Sequence, residues 1–140
     1  MGAGAMVVTP LYAGVLALWF LVLSYRVIQR RRASRVSLGD GGDTALQRAI
    51  RGQANFAEYV PLALLLLLII ELSRFSIYVV HLIGIVLVIA RLLHGFALSF
   101  TAENQFGRYW GALLTFIVVI VESVLCLYQA YRGHIVWFTT

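Results

Sequence analysis

Residues 44–73 read TALQRAIRGQANFAEYVPLALLLLLIIELS, a stretch whose first half is polar and whose second half is almost wholly apolar. Its length of close to 30 residues exceeds the roughly 20 that a helix needs to cross a bilayer. Pro61 lies inside the stretch and cannot donate to the carbonyl of Ala57, which predicts a kink just after the polar half. We therefore expect a long membrane helix whose polar beginning projects from the bilayer.

The rest of the chain has the same apolar character. The 140 residues are 61% hydrophobic, with a mean hydropathy of +0.90, which is too apolar for an ordinary soluble domain. Further apolar runs at about 10–28, 75–100 and 107–131 are each long enough to span a membrane. These lengths predict an all-α, integral membrane four-helix bundle that forms one domain over residues 1–140, without an attached soluble enzyme domain.

The charges indicate an orientation in the membrane. All 11 basic residues are arginines, and the first connection is where they are most concentrated: Arg26, Arg30, Arg31, Arg32 and Arg35. An excess of this kind predicts that loop 29–43 is cytoplasmic. The arginines cluster at helix ends and form no basic stripe with interleaved aromatic residues, which argues against nucleic-acid binding. The glycine-rich turn at 39–42 has no phosphate-loop spacing, and Asp43 is the predicted N-cap of the second helix.

Polar residues form a stripe on the predicted second helix. Arg51, Asn55 and Glu58 are spaced i, i+4, i+7, which places them within about 60° on one face. On the third helix, Arg91 and His94 are spaced i, i+3 and share a face. Such groups are costly against lipid, so they are expected to face protein or a polar ligand. Either an arginine pairs with Glu58 between helices, or the surplus positive charge binds an anion.

Residues 51–62, RGQANFAEYVPL, resemble the second-helix signature R-x-x-x-N-x-x-E-[YN] of the MAPEG family, membrane-associated proteins in eicosanoid and glutathione metabolism. Arg31, Arg32 and Arg35 in the first loop resemble the leukotriene C synthase branch, and residues 91–94, RLLH, resemble the R-x-x-H of the prostaglandin E synthase branch. The GDGG turn at 39–42 is similar to the small bacterial branch. The resemblance covers roughly residues 31–108.

This resemblance implies a homotrimer in the bacterial inner membrane that binds glutathione between neighbouring subunits, near the cytoplasmic side. By family analogy, Arg51 and Arg31 hold carboxylates and Glu58 holds the ammonium, while Arg108 raises the thiolate fraction of the thiol. The residues that the analogy assigns to catalysis are Arg108 and Arg31, and those it assigns to glutathione binding are Arg51, Gln53, Asn55, Glu58, Tyr59, Arg91 and His94. A lipophilic electrophile would enter laterally from the bilayer lipid.

Two departures from the family keep other functions open. Leu98 stands where several eukaryotic members have a tyrosine, and the turn before the fourth helix offers Glu103, Asn104 and Gln105 where the family is basic. The expected function is a microsomal-type glutathione transferase or peroxidase. The alternatives are a binding or scaffolding protein that has lost catalysis, and a transporter that relays protons through Glu58 and Glu122.

The remaining ionisable residues have simpler interpretations. Glu122, midway along the fourth helix, is expected to have a structural partner, such as Arg74 or a hydroxyl, or to serve a proton or substrate pathway. His81, His94 and His134 have no ligand-like spacing, so no metal site is predicted. Tyr109 and Trp110 at one end, with Trp137 and Phe138 at the other, suit aromatic belts at the two interfaces.

Overall fold

The computed structural model describes residues 7–139, and it describes side chains as far as residue 134. The described chain is all-α, with helices α1 (Thr9–Ser34), α2 (Thr44–Leu72), α3 (Ile77–Phe100) and α4 (Gln105–Thr139). All four are long and apolar enough to cross a membrane. The predicted four-helix membrane fold is therefore confirmed. The side chains of Trp137 and Phe138, predicted to belong to an aromatic belt, lie outside the described residues.

The helices pack as a bundle with α2 and α3 in the middle. Each of these two contacts all three other helices, whereas α1 and α4 do not contact each other in the described chain. Because consecutive helices run in opposite directions, the α1–α2 and α3–α4 connections lie at the same end of the bundle. The polar half of α2 starts at that end, beside the beginning of α4.

Two helices extend further than the hydropathy pattern predicted. The sequence predicted that the first helix ends near residue 28, whereas α1 continues to Ser34 because arginine is a good helix former and its long side chain reaches out of the bilayer. It ends at Arg35, whose left-handed conformation (φ 53°) lets the following N–H of Val36 bond the Arg31 carbonyl. Similarly, α4 was predicted to end near residue 131 and extends to Thr139.

Asp43 fixes the beginning of α2, as the sequence predicted. Its Oδ1 accepts hydrogen bonds from the backbone N–H groups of Ala45 (2.8 Å) and Leu46 (3.2 Å), and the Ser34 hydroxyl donates to its Oδ2. The hydrogen bond from Ser34, followed by those from Leu46 and Ala45, lowers the pKa of Asp43 below its ordinary value. One carboxylate therefore caps α2 and ties it to the end of α1.

The beginning of α1 is capped by a residue from another helix. Val8 at the N-cap offers no side-chain acceptor. Instead, Glu71 near the end of α2 accepts from the N–H groups of Val7 and Val8 through Oε1 (2.7 and 2.9 Å) and from that of Thr9 through Oε2 (2.8 Å). A carboxylate at this position satisfies free backbone donors and complements the positive end of the helix dipole.

We expect Glu71→Ala to lower the free energy of unfolding by about 2 kcal/mol, because it removes a charged N-cap and leaves the first donors of α1 without an acceptor. An SDS titration in mixed micelles, followed by circular dichroism, measures this loss. Glu103→Ala is the matched control, since Glu103 is an exposed carboxylate in the α3–α4 connection. Equal stability of the two variants would contradict the capping role.

Candidate functional site

A polar cavity of about 330 Å³ opens between α2, α3 and α4 at the end of the bundle that carries the α3–α4 connection. Three arginines and a histidine line it, and no carboxylate is among the described residues of its wall. We call it the cationic pocket. Its lining residues are Gln47, Arg48, Arg51 and Asn55 from α2, His94 and Leu98 from α3, and Arg108 from α4.

The helical period brings the α2 residues to the pocket. Arg48, Arg51 and Asn55 follow at i, i+3 and i+7, so their side chains leave the helix in nearly the same direction. Gly52, one turn after Arg48, lies against α3, where an added Cβ would meet Leu98 Cβ at 3.4 Å. The absence of a side chain there lets α2 approach α3 and so forms one wall of the cationic pocket.

Arg91 lies behind this wall and orients Asn55. Its side chain is only 1% exposed. One guanidinium nitrogen, Nη2, donates to Asn55 Oδ1 (2.8 Å), and Nη1 donates to Thr115 Oγ1 (3.2 Å). Because a guanidinium only donates, the acceptor on Asn55 must be its oxygen, which leaves the amide N–H groups for a ligand. The guanidinium also lies 5.6 Å from the centre of the Phe56 ring.

Arg91 is a buried cation that has no carboxylate partner within residues 7–134. Its partners are a neutral amide, a neutral hydroxyl and an aromatic ring. A charge in so apolar a setting is little screened, so it adds to the positive potential that Arg48, Arg51 and Arg108 create in the pocket. The arrangement favours an anionic ligand.

His94 is fixed by its contact with α4. Its Nδ1 lies 3.0 Å from the backbone carbonyl of Arg108, which can only accept, so Nδ1 carries the hydrogen. In the neutral ring, Nε2 is then the acceptor. This contact requires α3 and α4 to approach closely at Gly111, where an added Cβ would lie 2.6–2.8 Å from the Cβ, N and Cα of His94.

We expect Gly111→Ala to destabilise the protein by about 1–3 kcal/mol, since the new methyl group would clash with the backbone of His94, which cannot rotate away. The same SDS titration measures the change. Gly14→Ala is the control, because no atom within 4 Å would meet a Cβ at that helical position. If the Gly111 variant were as stable as the Gly14 variant, close packing of α3 on α4 would not be what holds the pocket wall.

The pair Arg51 and Glu58 lies on the outer face of α2. The Nη1 and Oε1 atoms are 3.9 Å apart, and the side chains are 62% and 53% exposed. An ion pair this long and this open contributes little to stability. Charged groups exposed on a membrane helix are nevertheless costly against lipid, so this face needs water or a second protein surface beside it.

The structure brings four of the nine predicted site residues to the cationic pocket: Arg51, Asn55, His94 and Arg108. The others lie elsewhere in the chain. Gln53 donates to the Ser24 hydroxyl (3.0 Å), and the Tyr59 ring packs against Phe116 with centroids 5.7 Å apart. Arg31, at the end of α1, donates to the carbonyl of Gly39 (2.8 Å).

Three pocket residues were not among the predicted site residues. Arg48 was noted only as a neighbour of the polar stripe, although its position three residues before Arg51 places it on the same helix face. Gln47 gave no sequence signal. Leu98 was noted only as a departure from the family, and it contributes an apolar wall to the cationic pocket.

Glu122 has a different environment from the one expected. It is fully buried in α4, and neither carboxyl oxygen has a hydrogen-bond partner within the described residues. The structural partner expected from Arg74 or a neighbouring hydroxyl is therefore absent from this part of the chain. The residue does not line the cationic pocket.

Comparison with known proteins agrees with this architecture. The sequence profile of the MAPEG family matches residues 9–128, which include the cationic pocket. Proteins named inner membrane protein YecN from two strains of Escherichia coli, K12 and O6:H1, are each 42% identical over 115 residues, covering 79% of this chain and 88% of the relative. With four membrane-spanning helices and this match over most of its length, the chain is a multi-pass membrane protein that belongs to the MAPEG family.

Proposed function

We propose that this protein binds glutathione in the cationic pocket and transfers it to, or uses it to reduce, lipophilic electrophiles that arrive from the bilayer. The observation that carries the proposal is the pocket itself, where three arginines and a histidine surround about 330 Å³ with no carboxylate among the described lining residues. Such a site has an excess of positive charge that a ligand with carboxylates compensates.

The chemistry of glutathione fits this arrangement. Its two carboxylates match the guanidinium forks of Arg48 and Arg51, each of which can donate two parallel hydrogen bonds. The free amide N–H groups of Asn55, whose oxygen Arg91 already occupies, suit a peptide carbonyl. Glu58, half exposed beside Arg51, is the acceptor for the ammonium.

Arg108 is the group that would activate the thiol. A free thiol of pKa about 8.5 is only a few per cent ionised at neutral pH, and an adjacent guanidinium favours the thiolate. The thiolate sulfur would then attack an electrophilic carbon, forming a sulfur–carbon bond while the leaving group departs with its electron pair and the thiol proton goes to water. The apolar wall at Leu98 gives a lipophilic substrate a place beside this sulfur.

We also propose that the protein is a homotrimer in the bacterial inner membrane. The exposed Arg51 and Glu58 side chains on α2 are the support, since a second copy packed on this face would spare them contact with lipid. A neighbouring subunit could present Arg31 to the ligand, a residue that the single subunit keeps outside the pocket. The arginines at the end of α1 favour a cytoplasmic position for the pocket, on the side where glutathione is available.

A glutathione titration of the purified protein in detergent, followed by thiolate absorbance in the ultraviolet, tests the function. We expect a saturable signal near neutral pH. The control is S-methylglutathione, which has no ionisable thiol and should displace glutathione while giving no absorbance. Absence of binding by either compound at millimolar concentration would reject the proposal.

Leu98 favours a second candidate, a family member that binds glutathione without catalysis. This side chain lines the pocket at a position where several eukaryotic members of the family have a tyrosine, so the pocket has no hydroxyl there. Calorimetry and ultraviolet absorbance together distinguish the two functions. A catalyst should bind glutathione by calorimetry and also show thiolate absorbance, whereas a protein that only binds glutathione should show the calorimetric signal alone.

A further inference from the structure

Two arginines near the end of α1 lie outside the cationic pocket. The carboxylate of Asp43 lies close enough to Arg30 to interact with it electrostatically, but it already accepts three hydrogen bonds at the beginning of α2. Arg26 and Arg30 are one helical turn apart, both half-buried, and neither makes an ion pair within residues 7–134. The hydrogen bond that Arg26 makes in this part of the chain runs from Nε to the carbonyl of Ser99 at the end of α3 (3.4 Å). Its Nη groups remain available for a ligand.

An apolar groove lies beside Arg26, between α1 and α3. It holds about 280 Å³ and is lined by Trp19, Leu92, Leu93, Phe96 and Asn104. Trp19 is fixed there, because its indole Nε1 donates to the carbonyl of Arg91 (3.2 Å). The groove therefore has a rigid wall and is preformed in the folded subunit.

A stack of aromatic rings connects the groove to the arginine. Phe100 stacks on Phe96 with centroids 5.5 Å apart and on Trp19 with centroids 6.2 Å apart. The guanidinium of Arg26 lies 5.0 Å from the centre of the same Phe100 ring. The cationic and apolar surfaces are therefore joined through these rings. Arg26 follows Trp19 by seven residues, which is about 10 Å along the axis of α1.

A ligand that fits this surface has an anionic group at one end and a hydrocarbon chain at the other. The arginines lie in the last third of α1, a helix long and apolar enough to span a membrane, where the charged ends of such helices meet the headgroups. The groove runs from Asn104 in the α3–α4 connection to Trp19, which is nearer the middle of α1. Guanidinium groups bind phosphate oxygens through paired hydrogen bonds, and each arginine near an anionic membrane surface contributes about 1 kcal/mol to binding. The position and charge match a lipid of the surrounding leaflet.

We propose that Arg26, Arg30 and the groove between α1 and α3 form a binding site for an anionic phospholipid. The phosphate lies on the two guanidinium groups, and the first part of one acyl chain lies against Trp19 and Phe96. The site lies on a different face of the bundle from the cationic pocket and does not depend on glutathione binding.

Trp19 provides a direct measurement, because it lines the groove. In a Trp110→Phe/Trp137→Phe background it is the single tryptophan of the chain. The protein is placed in phosphatidylcholine nanodiscs that contain either brominated phosphatidylglycerol or brominated phosphatidylcholine at the same mole fraction. We expect the brominated anionic lipid to quench Trp19 more strongly. The preference for phosphatidylglycerol over phosphatidylcholine should fall about fivefold in Arg26→Gln and again about fivefold when Arg30→Gln is added.

Arg132→Gln is the matched control, since Arg132 also lies over an aromatic ring, that of Tyr128 at 5.8 Å, but near the opposite end of the bundle. It should leave the preference unchanged, and Arg26→Lys, which keeps the charge, should retain most of it. Equal quenching by the two lipids, or a preference that survives both glutamine substitutions, would overturn the proposal. Competition by soluble glycerol phosphate would overturn the lipid assignment in favour of a free phosphate site.

Discussion

Arg51→Ala is expected to weaken glutathione binding by roughly 10- to 100-fold, the equivalent of about 1.5–3 kcal/mol for a lost charge-assisted hydrogen bond. Arg51 lines the cationic pocket, where the carboxylates of the proposed ligand would lie. Its removal also leaves Glu58 without its only cation within 4.0 Å among the described residues. Isothermal titration calorimetry in detergent measures the change in Kd.

The fold should survive this substitution. The Arg51 side chain is 62% exposed in the single subunit, and its contact with Glu58 is long, so the interior loses no packing. Arg132→Ala, which removes another exposed arginine of a membrane helix, should bind glutathione like the unchanged protein. Arg51→Lys should bind at an intermediate level, because lysine keeps the charge but not the two-pronged geometry. Wild-type affinity in Arg51→Ala would reject the site assignment.

The sequence was sufficient for the parts of the fold that depend on hydropathy and spacing. Four apolar runs predicted four helices, and the i, i+4, i+7 spacing predicted the shared face of Arg51 and Asn55. Asp43 was recognisable as an N-cap because its residue type and position satisfy the free donors of α2. These features are local, so a single segment of the chain specifies each of them.

Features that depend on two distant segments were not predictable. No local pattern shows that Glu71 at the end of α2 caps α1, because the contact joins residues more than 60 positions apart. For the same reason, the sequence grouped Arg91 with the ligand-binding residues, whereas the structure places its guanidinium behind Asn55 and against Thr115. The end of α1 was missed since arginines extend this helix beyond the apolar run that marks the bilayer.

The close approach of α3 and α4 explains why His94 and Arg108 meet. A sequence motif contains His94, but only the missing side chain of Gly111 lets the α4 backbone lie against it. The resulting hydrogen bond joins the His94 ring to the main chain of Arg108. The side chain of Arg108 is therefore not needed to hold the pocket together.

This separation makes Arg108→Ala a test of thiol activation. Because His94 bonds the carbonyl of residue 108, the substitution preserves that contact and removes only the guanidinium from the pocket. A neighbouring cation favours the thiolate, so its loss should raise the pKa of bound glutathione towards the value of about 8.5 for a free thiol. We expect Arg108→Ala to bind glutathione within severalfold of wild type but to lose most thiolate absorbance near neutral pH.

A pH titration of the absorbance at saturating glutathione measures the shift, and calorimetry on the same samples measures binding. Arg108→Lys should restore part of the signal, since an ammonium also stabilises a thiolate. Arg48→Ala should weaken binding, but the glutathione that still binds should ionise with the same pH midpoint as in the wild type. An unshifted midpoint in Arg108→Ala would assign activation to another group. Arg91 is too deeply buried to touch the sulfur, which would leave the imidazole of His94, or an arginine from a second subunit of the proposed trimer, as the activating group.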